Sequence, residues 1–157
     1  MNIRFGEKRD YLQLAEIKWL HMEDDDISYN ENKLKGADKE RFISDFISFL
    51  ENDNNYKIFI AEEKDVIIAA MYLCVIPKLP KPNRNSANIA YLTSVYTRKE
   101  YRNQSVGTKL ITYIKEYAYE NKCELLFVWP SEKSVDWYCR NGFSSENEIL
   151  ECALREE

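Results

Sequence analysis

Histidine is almost absent from this chain, and its cysteines are few and scattered. Among 157 residues there is one histidine, His21, which argues against Ser-His or Cys-His nucleophilic catalysis. The four cysteines are far apart and form no C-x-x-C pair: Cys74, Cys123, Cys139 and Cys152. Because zinc sites need close-spaced ligand pairs, we expect no metal site and four reduced thiols.

Long apolar runs and an excess of positive charge are missing as well. No stretch reaches the length of a membrane span, and the amino terminus lacks the apolar core of a signal peptide, so we expect a cytoplasmic protein. The net charge is −5, which argues against nucleic acid or an anionic membrane as the main partner. Cationic small molecules, or an amine of a protein, are easier ligands for such a chain.

The remaining composition is that of a globular protein. Hydrophobic residues make up 45% of the chain and charged residues 31%, and the length suits one domain over residues 1–157. The acidic run from Glu23 to Asp26 and the polar residues up to Gly36 are predicted to form a loop. Periodicity predicts helices at 10–21, 38–50, 106–121 and 131–140, and strands at 3–5, 56–62, 66–76, 89–97, 125–129 and 148–154.

This order of elements predicts an α+β fold. Hairpins give antiparallel neighbours, whereas the strand–helix–strand unit over 89–129 gives a right-handed parallel pair. We therefore expect a mixed, mostly antiparallel twisted sheet with helices on both faces. An exposed edge strand near the carboxyl terminus would permit a homodimer.

One junction carries a chemical signal of its own. Residues 95–108 read as the end of a strand, a short polar turn and the first turn of an amphipathic helix. Unpaired amides and the positive end of the helix dipole meet at such a turn, which makes it a site for an anion. Arg102 adds a positive charge beside these amides.

These features resemble the GNAT superfamily of acetyl-CoA-dependent N-acetyltransferases. Residues 102–107, Arg-Asn-Gln-Ser-Val-Gly, resemble its pyrophosphate loop, and Tyr138 followed by Gly142-Phe143 resembles its second signature. The resemblance implies a splayed central pair of parallel strands, acetyl-CoA as acetyl donor, and direct attack by an amine in a ternary complex. It implies that Tyr138 protonates the leaving thiolate, since a phenol with a pKa of ~10 keeps its proton at neutral pH. The cofactor-binding residues it implies are Val95, Tyr96, Thr97, Arg102, Asn103, Gln104, Ser105, Val106, Gly107, Thr108, Ser131 and Ser134.

Two residues depart from the pattern of that family. Ser105 stands where the family usually has its first glycine, which permits close backbone approach and an unusual φ that a Cβ obstructs. The serine hydroxyl could instead donate to a phosphate oxygen. Ser131 stands where the family often has an asparagine that bonds the cofactor arm.

Some residues keep two interpretations. Tyr138 is either the acid of the reaction or a core tyrosine, and its spacing to Gly142-Phe143 favours the acid. His21 is expected to be a surface or internally satisfied histidine. Residues 23–26 either attract a cationic acceptor or form a solvated acidic turn. No residue is identified as the general base, and a non-catalytic module that binds or senses acyl-CoA is the alternative to an enzyme.

Overall fold

Residues 1–53, 55–82, 87–146 and 149–154 are described by the computed structural model of the chain. Within them the α-helices are α1 (Tyr11–Tyr29), α2 (Lys39–Asn52), α3 (Val106–Glu120) and α4 (Val135–Arg140). The strands are β1 (Asn2–Phe5), β2 (Tyr56–Glu63), β3 (Val66–Pro77), β4 (Asn88–Thr97) and β5 (Cys123–Val128). Short 3₁₀ turns occupy Lys8–Asp10, Lys99–Tyr101 and Glu132–Ser134.

The strands form one sheet in the order β1-β2-β3-β4-β5. Every neighbouring pair is antiparallel except β4 and β5, which run parallel across the α3 crossover. The mixed, mostly antiparallel α+β sheet expected from the order of elements is therefore confirmed. β3 is buried over most of its length, because helices cover the sheet on both sides.

Two apolar clusters hold these helices against the sheet. Alternate residues of β2 point to opposite faces, so Phe59 and Ile60 belong to different clusters. The first cluster joins α3 and α4 to one face and includes Phe59, Met71, Leu73, Leu92, Leu110, Ile111 and Ile114. The second joins α1 and α2 to the other face and includes Leu14, Ile17, Leu50, Ile58, Ile60 and Tyr72.

α1 is longer than the sequence predicts, and the expected loop at residues 23–26 is wrong. These four acidic residues are helical, and the helix ends at Asn30, which has a left-handed φ of 51°. Aspartate is a poor helix former, but tertiary partners outweigh that preference here. The indole of Trp19 donates to Glu23 at 2.7 Å, and Asp26 accepts the amides of Lys33 and Leu34.

The predicted last strand is also not formed in the part of it that is described. Residues 149–154 adopt no regular structure, and Glu148 lies outside the described residues. Leu150 and Leu154 are almost fully exposed, and β5 forms the edge of the sheet. A strand is stable only when its backbone groups have partners in a ladder, and apolar content alone does not supply one.

The helix predicted at 131–140 begins later than expected. α4 starts at Val135, and a 3₁₀ turn precedes it. Ser131 flanks that turn, and its carbonyl accepts the Ser134 amide at 2.9 Å. Tight turns of this kind are common at helix ends, so the shift moves the boundary and leaves the element in place.

Candidate active site

β4 changes its pairing half-way along its length. Its first half, from Asn88 to Leu92, pairs with β3 on one side and with β5 on the other. The paired part of β5 ends at Val128, opposite Leu92, so no described strand covers residues 93–97 on that side. Ser94 has a left-handed φ of 50°, and the register with β3 shifts near it. The strands therefore part, and a cleft of ≈ 760 Å³ opens where they do.

The amino terminus of α3 lines one side of this cleft. Lys109 donates the first hydrogen bond of the helix to the Ser105 carbonyl at 3.0 Å, so the amides that precede it have no acceptor within the helix. Among the described residues no side chain caps them. Val106, Gly107 and Thr108 lie on the cleft, so an anion there would meet free amides and the positive end of the helix dipole.

The loop before α3 has a strained backbone. Asn103 and Ser105 have φ values of 59° and 61°, in the left-handed region where a Cβ is unfavourable. The glycine usual in the family at position 105 would remove that strain. Gly107 is needed for close packing and not for its backbone conformation, since a Cβ there would lie 3.0 Å from Cζ2 of Trp137. Its lack of a side chain lets α3 and α4 approach each other.

The guanidinium of Arg102 is held by neighbours on the protein. Its Nε donates to the Thr97 carbonyl at 2.9 Å, and its Nη2 donates to Oδ2 of Asp24 at 3.0 Å. The same carboxylate accepts the hydroxyl of Tyr96 at 2.6 Å and pairs with Lys99 at 2.7 Å. Burial raises the pKa of Asp24, but the hydrogen bonds from Lys99 and Tyr96 outweigh it, so the pKa lies below its ordinary value.

Tyr138 lies in α4 at the wall of the cleft, with only 6% of its surface exposed. Its ring packs edge-on against Trp137 and Phe143, at centroid distances of 4.9 and 5.2 Å. Burial raises the pKa of its hydroxyl above the ordinary value for tyrosine. The phenol is therefore protonated at neutral pH. Gly142, with a φ of 86°, ends α4 and allows the turn to Phe143.

A contact across the cleft joins the end of α1 to the turn before α4. The hydroxyl of Tyr29 accepts the Lys133 amide at 3.0 Å, and the Lys133 ammonium reaches the Ser28 carbonyl and the Tyr29 ring. This contact depends on the last turns of α1, which the sequence had predicted as loop. Ser131 and Ser134 line the same side of the cleft and share a hydrogen bond of 3.0 Å between their hydroxyls.

Two residues of α1 face the cleft although the sequence did not mark them as site residues. Lys18 donates from Nζ to the Ser94 hydroxyl at 2.9 Å, and burial lowers its pKa. His21 stacks on the Tyr96 ring with a centroid distance of 5.1 Å, and its Nδ1 is buried without a hydrogen-bond partner among the described residues. Burial, followed by the charge of Lys18, lowers the pKa of His21 to about 4, so its imidazole is neutral at pH 7.

The expectation for His21 therefore needs correction, since the residue is neither on the open surface nor satisfied at both nitrogens. The spacing of Lys18 and His21 in the sequence could have indicated that both belong to one site. Lys18 and His21 are three residues apart, so both lie on one face of α1, and that face is the one that meets β4. Sequence patterns mark the helix but do not tell which strand its polar residues will meet.

Most of the residues implied by the family resemblance meet at this cleft. Those that line it are Val95, Tyr96, Thr97, Arg102, Asn103, Ser105, Val106, Gly107, Thr108, Ser131, Ser134 and Tyr138. Gln104 does not line it, because its side chain turns back to donate to the Glu100 carbonyl at 2.9 Å. The roles of these residues in binding and catalysis stay predictions.

Metal-type clusters and membrane-type helices are both absent from the part of the chain that the structure describes. No group of three or more His, Cys, Asp or Glu side chains among them is arranged to hold a metal ion. None of their helices combines the length and the apolar character that crossing a membrane requires.

Solved structures of acetyltransferases share this fold over nearly its whole length. A predicted acetyltransferase from Clostridium acetobutylicum, solved with acetyl-CoA, is 24% identical, with a TM-score of 0.73 over 98% of this chain and 96% of that chain. An aminoglycoside acetyltransferase from an uncultured soil metagenomic sample is 18% identical, with a TM-score of 0.70 over 99% and 96%. Glucosamine-6-phosphate N-acetyltransferase from Arabidopsis thaliana is 16% identical, with a TM-score of 0.65 over 98% of each chain.

These likenesses show the fold that the chain shares with acetyltransferases, and the sequence makes the assignment more specific. The model of the acetyltransferase (GNAT) family matches residues 14–143. The chain belongs to the GNAT family of acetyltransferases.

Proposed function

We propose that this chain transfers an acetyl group from acetyl-CoA to a primary amine by direct attack in a ternary complex. One observation carries the proposal: the cleft where β4 leaves β5 combines the free amides of α3 with the buried, protonated hydroxyl of Tyr138. The first group suits the diphosphate of a CoA thioester. The second suits the thiolate that leaves it.

The donor would lie along the second half of β4 and across the amino terminus of α3. Its diphosphate fits the amides of Val106, Gly107 and Thr108, which converge on one concavity. Its pantetheine arm fits residues 95–97, since a chain with amide groups can bond to strand edges that lack a partner. Ser131 and Ser134 face this arm from the opposite side in the same proposal.

In the chemical step the amine nitrogen bonds to the thioester carbonyl carbon, and the carbon–sulfur bond breaks. A backbone amide of Val95 or Tyr96 would stabilise the negative charge that builds on the carbonyl oxygen. Tyr138 gives its proton to the departing sulfur, so that CoA leaves as a thiol. Holding both reactants in one cleft supplies much of the acceleration, because a bimolecular encounter becomes intramolecular.

The nitrogen must also lose a proton. Two groups of α1 at the cleft are able to accept one: the neutral imidazole of His21, and Asp25, whose carboxylate lies 3.5 Å from His21 Nε2. A base with a pKa of about 4 is weak. The amine would therefore have to arrive in its neutral form.

Three further statements belong to the same proposal. Residues 1–157 would form a single domain, because the two apolar clusters share one sheet. A cytoplasmic location agrees with the four free cysteines among the described residues, since secreted proteins tend to pair theirs. The open edge of β5 would permit a homodimer, which light scattering would detect.

The solved structures that resemble this chain do not identify its acceptor. By their names, two of them act on glucosamine-6-phosphate and on aminoglycosides, which are chemically different amines. We propose only a primary amine from this likeness.

The experiment that tests the proposal begins with titration calorimetry of acetyl-CoA. Adenosine 3′,5′-bisphosphate and ATP serve as controls, since they carry phosphates without a pantetheine arm. Saturable binding of acetyl-CoA that weakens strongly for both controls is expected. Absence of acetyl-CoA binding by calorimetry and by a second method would contradict the proposal at its first step.

A panel of amines then separates an enzyme from a binding module. With saturating acetyl-CoA, release of free thiol that depends on an added amine is expected for at least one member of the panel. Mass spectrometry should find that amine heavier by one acetyl group. Binding of acetyl-CoA with no thiol release for any amine would favour the non-catalytic sensor.

A further inference from the structure

Lys18 is an unpaired cation placed inside the proposed reaction cleft. Its ammonium has one hydrogen bond, 2.9 Å long, to the neutral hydroxyl of Ser94, and it forms no ion pair with any described residue. Lys18 is half-buried, and partial removal of a cation from water without an opposite charge nearby lowers its pKa. Lysine side chains at a protein surface need no such partner, so the position of this one calls for an explanation.

The acidic residues around Lys18 are already engaged elsewhere. Asp24 is shared by Lys99, Arg102 and the Tyr96 hydroxyl. Asp25 is about half exposed and lies beside the imidazole of His21, beyond ion-pair distance from Lys18. It raises the pKa of Lys18 but not enough to offset burial.

The other acidic residues of this run face away from the cleft or are bonded within α1 and the loop after it. Glu23 accepts the Trp19 indole, and Asp26 accepts two backbone amides. Neither lines the cleft. A cationic acceptor would thus find few free carboxylates here, and it would also face the positive charge of Lys18.

Lys18 extends from α1 to Ser94 on β4, and this contact indicates which reactant it would bind. Ser94 is the strained residue at which β4 leaves β5, one residue before the amides proposed to hold the thioester carbonyl. A group that pairs with Lys18 would therefore belong to a molecule that lies at the reaction centre. The diphosphate of the donor is assigned to α3, so the acceptor is the molecule left to supply an anion.

We propose that the acceptor is a small amino acid-like molecule whose carboxylate pairs with Lys18 while its primary amine attacks the thioester. This inference rests on the proposed acetyl transfer and specifies its substrate class. The negative charge would pair with the half-buried ammonium of Lys18, and the resulting pair would orient the amine. An acceptor with a carboxylate takes the place of the cationic acceptor that the acidic residues 23–26 suggested.

Matched sets of amines test the inference. Each set consists of an L-amino acid, its amide, and the amine that lacks the carboxyl group, for example phenylalanine, phenylalaninamide and phenethylamine, over several side chains. With the unmodified protein, kcat/KM is calculated per neutral amine, because converting the carboxylate to an amide lowers the pKa of the amine. On that basis the value for the best amino acid should exceed that for its amide by roughly 10- to 100-fold, the usual loss when a hydrogen bond to a charged group is removed. A preference for the amides or the simple amines would overturn the inference.

Variants of Lys18 separate recognition from a structural role. Lys18→Met should lower kcat/KM for the amino acid to about that for the amide while leaving the acetyl-CoA affinity unchanged. Lys18→Arg, which keeps the charge, should retain part of the preference. Lys39→Met on the exposed surface of α2 changes the net charge equally and should keep it in full. An equal loss for acid and amide in Lys18→Met would mean that the lysine only supports the strained turn at Ser94, and would overturn the inference.

Failure of the inference differs from failure of the proposed function. If acetyl-CoA binds and only uncharged or cationic amines are acetylated, the transfer stands and the substrate class is wrong. If no amine is acetylated, calorimetry of the same amino acids against the acetyl-CoA-loaded protein decides. Binding that Lys18→Met abolishes would support the anion site, and absence of binding would overturn it.

Discussion

The two halves of β4 belong to one continuous strand but differ in what covers them. Residues 88–92 are paired on both sides, and Ala90 and Leu92 are completely buried. Residues 93–97 keep β3 on one side and open onto the cleft on the other. Residues 88–92, the closed half, are covered by strands on both sides, whereas residues 93–97, the open half, have no described partner strand on the side of the cleft.

Strain and unsatisfied polar groups gather around the open half. Ser94 and Ser105 have left-handed φ values, and Nδ1 of His21 is buried without a described partner. Lys18 meets only a neutral hydroxyl there. Such features lower stability and persist where surrounding structure holds them in place, which is common at functional sites. The closed half supplies that support.

The largest effect is expected where the open half meets α4. Tyr138→Phe should slow turnover by roughly 10²- to 10⁴-fold because the leaving thiolate loses its proton donor. The acetyl-CoA affinity measured by calorimetry should change little. Tyr113→Phe on α3 is the matched control, since Tyr113 packs on Phe5 and Phe59 away from the cleft. An unaltered rate in Tyr138→Phe would remove this tyrosine from the mechanism.

A substitution in the closed half should change the stability of the fold instead of the rate of turnover. Leu92→Ala removes a fully buried side chain from the cluster beneath α3 and should lower the free energy of unfolding by about 2–5 kcal/mol. Urea unfolding measures that loss, and the acetyl-CoA affinity of the folded variant should stay near that of the unmodified protein. Val95→Ala in the open half should cost less stability. If Leu92→Ala weakens acetyl-CoA binding as much as it weakens the fold, the division between the halves is wrong.

His21 packs against Tyr96 of the open half and should make the free energy of unfolding fall at acid pH. Its pKa is about 4 in the folded protein against 6.5 for the ordinary side chain. Between these values the unfolded chain binds more protons than the folded one, so stability falls as the pH falls from 7 toward 4. At pH 5 the loss should be about 2 kcal/mol.

The variant His21→Gln isolates this contribution. It should lose the part of the pH dependence between pH 7 and 5, as measured by urea unfolding at both values. Carboxylates such as Asp24, whose pKa is lowered, contribute mainly at more acidic pH and serve as the background common to both proteins. The same slope in both proteins would contradict the low pKa assigned to His21.

The smallest effect is expected at the loop before α3. Ser105→Gly relieves a left-handed backbone and should raise the free energy of unfolding by about 1 kcal/mol. Asn103→Gly should gain less, because asparagine tolerates this conformation better than serine. The acetyl-CoA affinity of Ser105→Gly should not weaken, since backbone amides supply the anion site. A dissociation constant at least fivefold higher would instead show that the serine hydroxyl binds a phosphate.

Most of the elements follow from local patterns. The helical spacing of Leu110, Ile111 and Ile114 placed α3 correctly, and the nearly continuous apolar run of β3 indicated a strand covered on both faces. The polar turn before α3 was enough to indicate an anion site, because free amides belong to any helix start. The closing strand at 148–154 was a wrong prediction over its described part, since the apolar content of that segment comes without a partner strand.

The sequence by itself determined strands β1 to β5, the crossover between β4 and β5, and the polar loop that resembles the pyrophosphate loop of the GNAT family. It did so because side-chain periodicity and turn residues act over a few positions. Only the tertiary structure decided that residues 23–26 are helical and that Lys18 and His21 face the cleft. Those outcomes depend on contacts such as Tyr96 with Asp24 and Lys18 with Ser94, which join residues 72 and 76 positions apart. No local pattern encodes which distant group a charged side chain will meet.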